Sequence, residues 1–429
     1  MRVLFLTCPS KTHLYAMAPL AWALQTAGHH VRVAGQLDPV GLTADDIAGT
    51  GLTAVSIGEE LDVGAMVADA VAESTQPVAV DSPFEQRRKS VQSEYTDADV
   101  YTELELLARY HFLSFSPDSL IEDAVRYARG WKPDLVIWDG MTMAFVGPLV
   151  ARACGAAHAR FVFGTDALVQ LRTAAREQGL GDPIRDCLQP ILERYGLDYD
   201  EEMVLGQWSI SDMPSWTWQP PGIDYLRMRP VPYNGPAMLP AWLLEEPERP
   251  RVCITLGLSY RELNAGPSAG NLLQAVADLD VEVVVTLSQE QLAALPSLPD
   301  NVRAIDFVPM TALLPTCSAI VHHGGHGTFI SALEHGVPQL LVPGKVGKDK
   351  WWGPLAVANG LEEQGAGVYV SDPGRLTPEV LRESLLRVLK DPEFGENAAR
   401  LRAEAAAIPT PNDIVVAIEK LTVEHRGRR

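Results

Sequence analysis

The chain has 429 residues, 47% hydrophobic and 21% charged, which is a globular composition spread over more length than one ordinary core takes. Its net charge of −20 argues against a nucleic-acid backbone or an anionic membrane as the main partner, so an anionic ligand would need a local site. Five cysteines (Cys8, Cys154, Cys187, Cys253, Cys317) are scattered, odd in number and free of any C-x-x-C pair, as a reduced cytoplasm permits; they suggest neither a disulfide framework nor a zinc site.

In chain order, Arg2 to Thr7 reads as a buried parallel strand, with none of the small residues that follow a secretory apolar core. No apolar run reaches bilayer length, and a cytoplasmic location is expected. After a loop from Cys8 to Thr12, the residues Leu14, Met17, Leu20, Ala21, Leu24 and Ala27 fall at helical spacing until Gly28. Val31 to Ala34 is the next strand, and His29-His30 fits a surface turn between the two elements. Strand, helix and strand in so few residues make a βαβ unit, hence a doubly wound α/β domain. The first loop has no G-x-G-x-x-G; His13 stands where that fingerprint would place its phosphate glycines.

Glu59 to Leu107 is polar, acidic and weakly periodic, and is expected to be a surface excursion too polar for core. Ser119 to Tyr127 looks helical. Pro133 to Asp139 is a strand ending in an acid, at the carboxyl end where open parallel sheets bind ligands. Read alone, Asp139 also fits a helix cap. Phe161 to Gly164 is a further strand. From Arg229 to Pro250 six prolines and Asn234-Gly235 mark a semi-rigid linker. Arg251 to Gly257 then opens a second α/β domain, with strands at Val281–Thr286, Val302–Ile305, Ala319–Val321 and Leu340–Pro343 and closing helices over 379–389, 394–407 and 413–424. The expected division is 1–228, linker 229–250, 251–410, and a C-terminal helix and tail over 411–429.

The most informative stretch runs from Ala319 through His322-His323-Gly324-Gly325-His326-Gly327-Thr328 to Gly336 and Pro338. It reads as strand, glycine-rich turn and helix, closed by a glycine stop and a proline. The glycines let the backbone approach a ligand, and the exposed amides of the next helix favour an anion such as a diphosphate. His323 can donate a hydrogen bond to a phosphate oxygen, while His322 fits a structural residue at the strand end. Three acid pairs, Asp97/Asp99, Asp198/Asp200 and Asp278/Asp280, have the spacing of metal-dependent transferases but arise readily by chance, so no metal is expected.

Tandem Rossmann-like domains, a histidine after the first strand and a late His-Gly-Gly-x-Gly-Thr turn together resemble the GT-B nucleotide-sugar glycosyltransferases, specifically the family-1 enzymes of actinobacteria that attach deoxysugars to macrolides and aromatic polyketides. The likeness is carried by Ser10-Lys11-Thr12-His13-Leu14, Pro19 to Ala23, Lys132 to Trp138, Tyr233-Asn234-Gly235-Pro236, Val252 to Gly257 and Asp306 to Gly325, and covers nearly the whole chain. It implies an inverting, metal-independent hexosyltransferase without a cofactor, in which two Rossmann-like domains face each other across a cleft. The first domain would take a hydrophobic polyketide or macrolide aglycone and the second a TDP-deoxysugar. By the same likeness His13 matches the general base and Asp139 the acid that orients it. His323, Gly324, Gly325, Gly327 and Thr328 match the diphosphate turn, and Leu256, Gly257 and Ser259 the loop over the diphosphate. The backbone of Val308 borders the nucleobase, and Asp349 the sugar hydroxyls. A helper protein similar to a cytochrome P450 and a homodimer are further implications, with the excursion from Glu59 as the docking surface.

Two departures stand out: Lys350 replaces the amide that usually follows the acid at Asp349, and His326 fills a turn position usually small or apolar. The helix beginning near His13 points its positive end at the imidazole, which is expected to keep it neutral at working pH. Two other readings remain open on the sequence: a sugar-nucleotide 2-epimerase of the same fold, and a donor-binding subunit without catalysis.

Overall fold

The computed structural model describes residues 1–62, 97–217, 219–258, 269–342, 353–371 and 375–426. The expected site residues Ser259 and Asp349, with Lys350, lie outside these. A first sheet is built from β1 (Arg2–Leu6), β2 (His30–Gly35), β3 (Thr53–Ser56), β4 (Leu135–Asp139), β5 (Ala157–Val162), β6 (Trp208–Ser211) and β7 (Tyr225–Arg227). Its order is β3-β2-β1-β4-β5-β6-β7 with every neighbouring pair parallel. The second sheet contains β8 (Arg251–Thr255), β9 (Glu282–Thr286), β10 (Val302–Ile305), β11 (Ala319–His322), β12 (Gln339–Leu341) and β13 (Gly367–Tyr369). Its order, β10-β9-β8-β11-β12-β13, is again all parallel.

The two orders share one feature that positions the site. In each sheet the first strand and the fourth lie side by side, and the chain leaves them in opposite directions. The crevice beyond their carboxyl ends is the topological switch point, where open α/β sheets bind ligands. Continuous burial explains why these are the central strands: all five residues of β4 and all five of β8 are buried, as helices on both faces require. Helices Lys11–Thr26 and Asp118–Trp131 cover opposite faces of the first sheet, around the clusters of Phe5, Leu20 and Phe161 on one side and Trp138, Ile121 and Phe145 on the other.

Three expectations are corrected. Part of the excursion is core: the helix Asp97–Leu106 and the turns after it bury Val100, Leu104, Leu107 and Ala108 among the residues around Trp138. Their apolar residues recur too sparsely among acids to stand out in the sequence; residues 63–96 are not described. His30 begins β2 instead of lying in a turn, and the His29 side chain is tucked against Glu419 at 3.0 Å. The strand expected at Phe161 to Gly164 begins earlier, at Ala157, so Phe163 and Gly164 lie just past its end, where they face the crevice.

Contacts join the two halves. The last helix, Val415–His425, returns to the first sheet, where Val415 and Ile418 pack with Phe5 and Phe161. Met213 and Trp216, which follow β6, pack among Phe329, Val357 and Leu361 of the second half. Truncating the buried Met213 would cost about 2–5 kcal/mol on the general scale for core methionines. Arg229 pairs with Glu334 at 2.6 Å. Asn234 accepts from the Thr311 amide at 3.0 Å and donates to Ser331 Oγ at 3.3 Å, so the linker is pinned to the second half.

Candidate active site

At the first switch point, β1 runs into a loop and then the helix Lys11–Thr26, whose third residue is His13. Asp139 ends β4 beside it and is completely buried. His13 Nδ1 lies 2.6 Å from Asp139 Oδ2. A carboxylate only accepts, so Nδ1 carries the proton and Nε2 is left to act as an acceptor. Asp139 also accepts from Thr142 Oγ1 at 2.7 Å and from the Met141 amide at 2.8 Å. Burial opposes its ionisation, but the charge and hydrogen bond of His13 and the bonds from Thr142 and Met141 outweigh it, and its pKa is lowered.

The expected neutral His13 is corrected. Burial again works against the charged form, but neighbouring Cys8 and the Asp139 carboxylate outweigh it, and the His13 pKa stands well above the usual histidine value. A full carboxylate charge at 2.6 Å overrides the partial charge of a helix end. The ring therefore becomes a base only above its raised pKa. Among the described residues, Cys8, His13 and Asp139 form the group whose donor atoms lie within 4.8 Å of one another as metal ligands must. His13 and Asp139 spend those atoms on each other. Of the acid pairs, Asp200 is bonded to Arg152 at 2.6 Å and Asp280 faces Arg249 at 3.6 Å.

At the second switch point, β11 ends on His322 and the turn leads into the helix His326–His335. His322 is structural: it is fully buried, with Nε2 2.9 Å from Gln339 Oε1 and Nδ1 accepting from the Gly324 amide at 3.1 Å. Burial lowers its pKa to about 4. Burial, then neighbouring His322, lowers that of His323 to about 3, so at neutral pH His323 is an uncharged ring able to donate one hydrogen bond. That ring is held between two glycines. A Cβ on Gly257, which has φ +70°, would sit 2.5 Å from His323 Cε1, and one on Gly325 would strike Nε2. Glycine is thus required at both positions, because the imidazole occupies the space of a side chain. The helix N-cap is Gly325, with no side-chain cap, so its first amides are open to an anion. A Cβ on Gly327 would meet nothing within 4 Å, in keeping with open space before those amides. Leu256 and Val308 are buried in the second half, and Phe307 is 41% exposed.

His326, whose role the sequence leaves unexplained, reaches into the first half. Its Nε2 is 3.0 Å from Asp212, a buried carboxylate at the end of β6. Its ring meets Phe163 edge-on at 5.5 Å, and the same phenylalanine meets His13 edge-on at 4.9 Å. One phenylalanine thus touches the histidines of two histidine–aspartate pairs. The loop carrying Phe163 is fixed by Asp166, which takes two hydrogen bonds from buried Arg160 (3.0 and 2.6 Å) and one from Tyr225 (2.6 Å).

Of the residues the sequence singled out, the structure brings His13 and Asp139 together at the first switch point and His323, Gly257 and Gly325 together at the second. The sequence reading missed Cys8, Thr142, Phe163 and Asp212. Thr142 carried a usable signal, since a threonine three residues after an acid commonly closes a local turn onto it; Asp212 and Phe163 are apparent only once the sheets are assembled.

Residues 22–257 match the N-terminal domain, and residues 270–421 the C-terminal domain, of the erythromycin biosynthesis protein CIII-like family. The chain belongs to this family. It is a glycosyltransferase with the GT-B fold. It is 44% identical to the aclacinomycin-T 2-deoxy-L-fucose transferase of Streptomyces galilaeus over 100% of this chain and 98% of the relative. To the 10-deoxymethynolide desosaminyltransferase of Streptomyces venezuelae it is 41% identical over 99% and 98%. Among solved structures, the glycosyltransferase VinC in complex with dTDP superposes with a TM-score of 0.82 at 37% identity, covering 99% of this chain and 100% of that one. The spinosyn forosaminyltransferase SpnP gives 0.80 at 38%, covering 99% of each. Like those relatives, this family member spans both domains.

Proposed function

We propose that this glycosyltransferase moves a deoxysugar from a thymidine diphosphate carrier to a hydroxyl of a polyketide or macrolide aglycone, with inversion at the anomeric carbon. The observation that carries the reading is the hydrogen-bonded His13–Asp139 pair at one switch point opposite the uncapped, glycine-clasped His323 turn at the other. The sugar classes follow the activities for which the relatives are named, and the nucleotide follows the dTDP bound in one solved neighbour.

In this mechanism the acceptor hydroxyl gives its proton to His13 Nε2 as its oxygen attacks the anomeric carbon. The bond from that carbon to the β-phosphate oxygen breaks, and the electron pair leaves with the nucleoside diphosphate. Asp139 stabilises the imidazolium that forms. The amides of Gly325, Gly327 and Thr328 and the His323 ring take up the departing charge, so no metal or cofactor is required. Leu256 and Gly257 roof the diphosphate and the Val308 backbone borders the base; for Ser259 and Asp349, outside the described residues, the resemblance implies the diphosphate loop and the sugar hydroxyls. Residues 1–228 serve the acceptor, 251–410 the donor, 229–250 link them, and 411–429 close the molecule in the cytoplasm. An auxiliary protein resembling a cytochrome P450 docks on the first half, where Tyr110 stands 68% exposed beside the excursion.

The test incubates the purified chain with a panel of thymidine diphosphate sugars and polyketide aglycones, with and without chelator, and follows nucleotide release and glycoside by mass. Interconversion of the free sugar nucleotide without acceptor would replace this reading with an epimerase, and a requirement for added divalent cation would overturn the metal-free step. Full turnover by the isolated chain would rule out an obligatory helper.

A further inference from the structure

His111 lies in a π-helical stretch, Leu107–Phe112, that continues the helix Asp97–Leu106. Such turns insert an extra residue, re-aim the side chains that follow, and recur at functional sites. Here the inner side is anchored in core: Leu107, Ala108 and Phe112 are buried, and Phe112 packs on Phe145 with ring centres 5.4 Å apart. The ring of His111 is held edge-on by Phe112 at 5.3 Å and Phe115 at 5.2 Å. Its Nε2 is 2.6 Å from the Met141 carbonyl. A carbonyl only accepts, so Nε2 carries a proton and donates it.

Met141 belongs to the turn that holds Asp139. Its amide donates to Asp139 Oδ1 at 2.8 Å and the next residue, Thr142, donates to Oδ2 at 2.7 Å. The preceding amide, of Gly140, donates to Phe161 O at 2.8 Å, and a Cβ on Gly140 would stand 2.9 Å from that same oxygen. The turn is thus held by β5 on one side and by His111 on the other. A continuous chain of hydrogen bonds runs from His111 through the Met141 turn to Asp139 and on to His13 Nδ1. We infer that His111 is a positioning residue of the transfer reaction: by gripping the Met141 carbonyl it fixes the turn that keeps Asp139 on His13. This rests on the reading of His13 as the base. A shift of the turn by a few tenths of an ångström would lengthen the His13–Asp139 bond without touching the donor site, which lies in the other half.

Two substitutions separate the hydrogen bond from the packing. His111→Phe keeps an aromatic ring between Phe112 and Phe115 and lacks the donor; His111→Gln keeps an N–H donor and loses the ring. Both are made in the full chain, with thermal melting as the check that each folds. The measurements are single-turnover rates across pH, nucleoside diphosphate affinity by calorimetry, and the same rates for His13→Ala. The titratable groups facing His13 are Asp139 and Cys8. For His111→Phe the inference expects a loss of about tenfold in chemical rate, as one hydrogen bond in a positioned site supplies. It also expects the rising limb of the profile to move to lower pH, because Asp139 holds the imidazolium less well, with nucleotide affinity within twofold of wild type. His111→Gln should recover most of the rate and the profile. Wild-type rate and profile in His111→Phe would overturn the inference, as would equal losses in both variants with the profile unmoved. If His13→Ala itself kept the wild-type rate, the reading of the base would fall first; if His13→Ala is slow and His111→Phe is not, only the inference about His111 falls.

Discussion

Replacing Asp139 by asparagine tests the proposed base through a single atom. In the native site Oδ2 takes hydrogen bonds from His13 Nδ1 (2.6 Å) and Thr142 Oγ1 (2.7 Å), and Oδ1 takes one from the Met141 amide (2.8 Å). An asparagine oxygen turned toward His13 would leave its NH2 against the Met141 N–H, two donors facing each other in a buried site. The opposite orientation satisfies Met141 and lets the Thr142 hydroxyl rotate to accept, but points NH2 at Nδ1. The ring must then carry its proton on Nε2, the atom that should receive the acceptor's proton. Asp139→Asn therefore preserves shape and selects the wrong tautomer while removing the charge that stabilises imidazolium. The expected loss is about 10²–10⁴-fold in the chemical step, or roughly 2.7–5.4 kcal/mol of barrier. The pH dependence has a definite sign. With the native pKa of His13 well above its usual value, wild-type rate should climb as pH rises through that pKa. Over the same window, above about pH 6.5, the pair's contribution to folding stability is lost. Without the carboxylate the pKa falls while the influence of Cys8 remains, and the rising limb of the residual activity should move to lower pH. Single-turnover kinetics with a hydroxyl acceptor, across pH, reads both effects. An Asp139→Asn enzyme within threefold of wild type and with the same profile would show that the pair does not serve as the base.

Three further outcomes follow from the second switch point and the seam between the halves. Gly325→Ala should reduce nucleotide affinity at least about tenfold, since its Cβ displaces the His323 ring and the loss of one hydrogen bond to a charged phosphate is worth ~1.5–3 kcal/mol; Gly327→Ala, with open space around its Cβ, should melt no lower than wild type. A double-mutant cycle of His326→Gln and Asp212→Asn should return a coupling of about 0.5–3 kcal/mol in thermal stability, and additive effects would show that the 3.0 Å contact does not join the halves. Burial holds His158 and His323 down to about 3 and His322 to about 4, whereas the unfolded chain takes up protons near pH 6.5, so melting temperature should fall steadily as pH drops from there toward 4; a flat profile would contradict neutral buried rings.

The parts of this molecule legible in the sequence are those with strong local signals. β1, β4, β8 and β11 are continuous apolar runs because both faces of the sheet are covered, and they are also the four strands that frame the site. The strands that escaped notice, β3, β6, β7 and β13, are three or four residues long, and Trp208-Ser209-Ile210-Ser211 carries two serines in a fully buried strand. Helices Ala167–Glu177 and Pro183–Glu193 were also missed, because the second has prolines at its start and inside it. The family resemblance was enough to pair His13 with Asp139, yet the sign of the His13 shift could not be read from the sequence. It depends on a 2.6 Å distance across 126 residues of sequence. Asp212 and Phe163 gave no local sign because their meaning lies wholly in what faces them.

Group transfer needs the base and the leaving group at a fixed separation, but the proposed sites for them lie on two sheets joined by a linker. The contacts across the seam supply the missing rigidity at successive distances from the chemistry. Met213 and Trp216 pack into the second half's core, Asn234 pins the linker, and Val415 and Ile418 return the last helix to the first sheet. Closest in lies Phe163, touched by both His13 and His326. His326 is the first residue of the helix whose amides are proposed to hold the diphosphate, so a shift of that helix moves its ring against Phe163 and Asp212. A ligand drawn to the helix terminus therefore acts on the same residue that spans the seam. Because packed interfaces shift between discrete arrangements, the proposed donor site and base are held in register by contact, and a histidine at this turn position does what a small residue there could not.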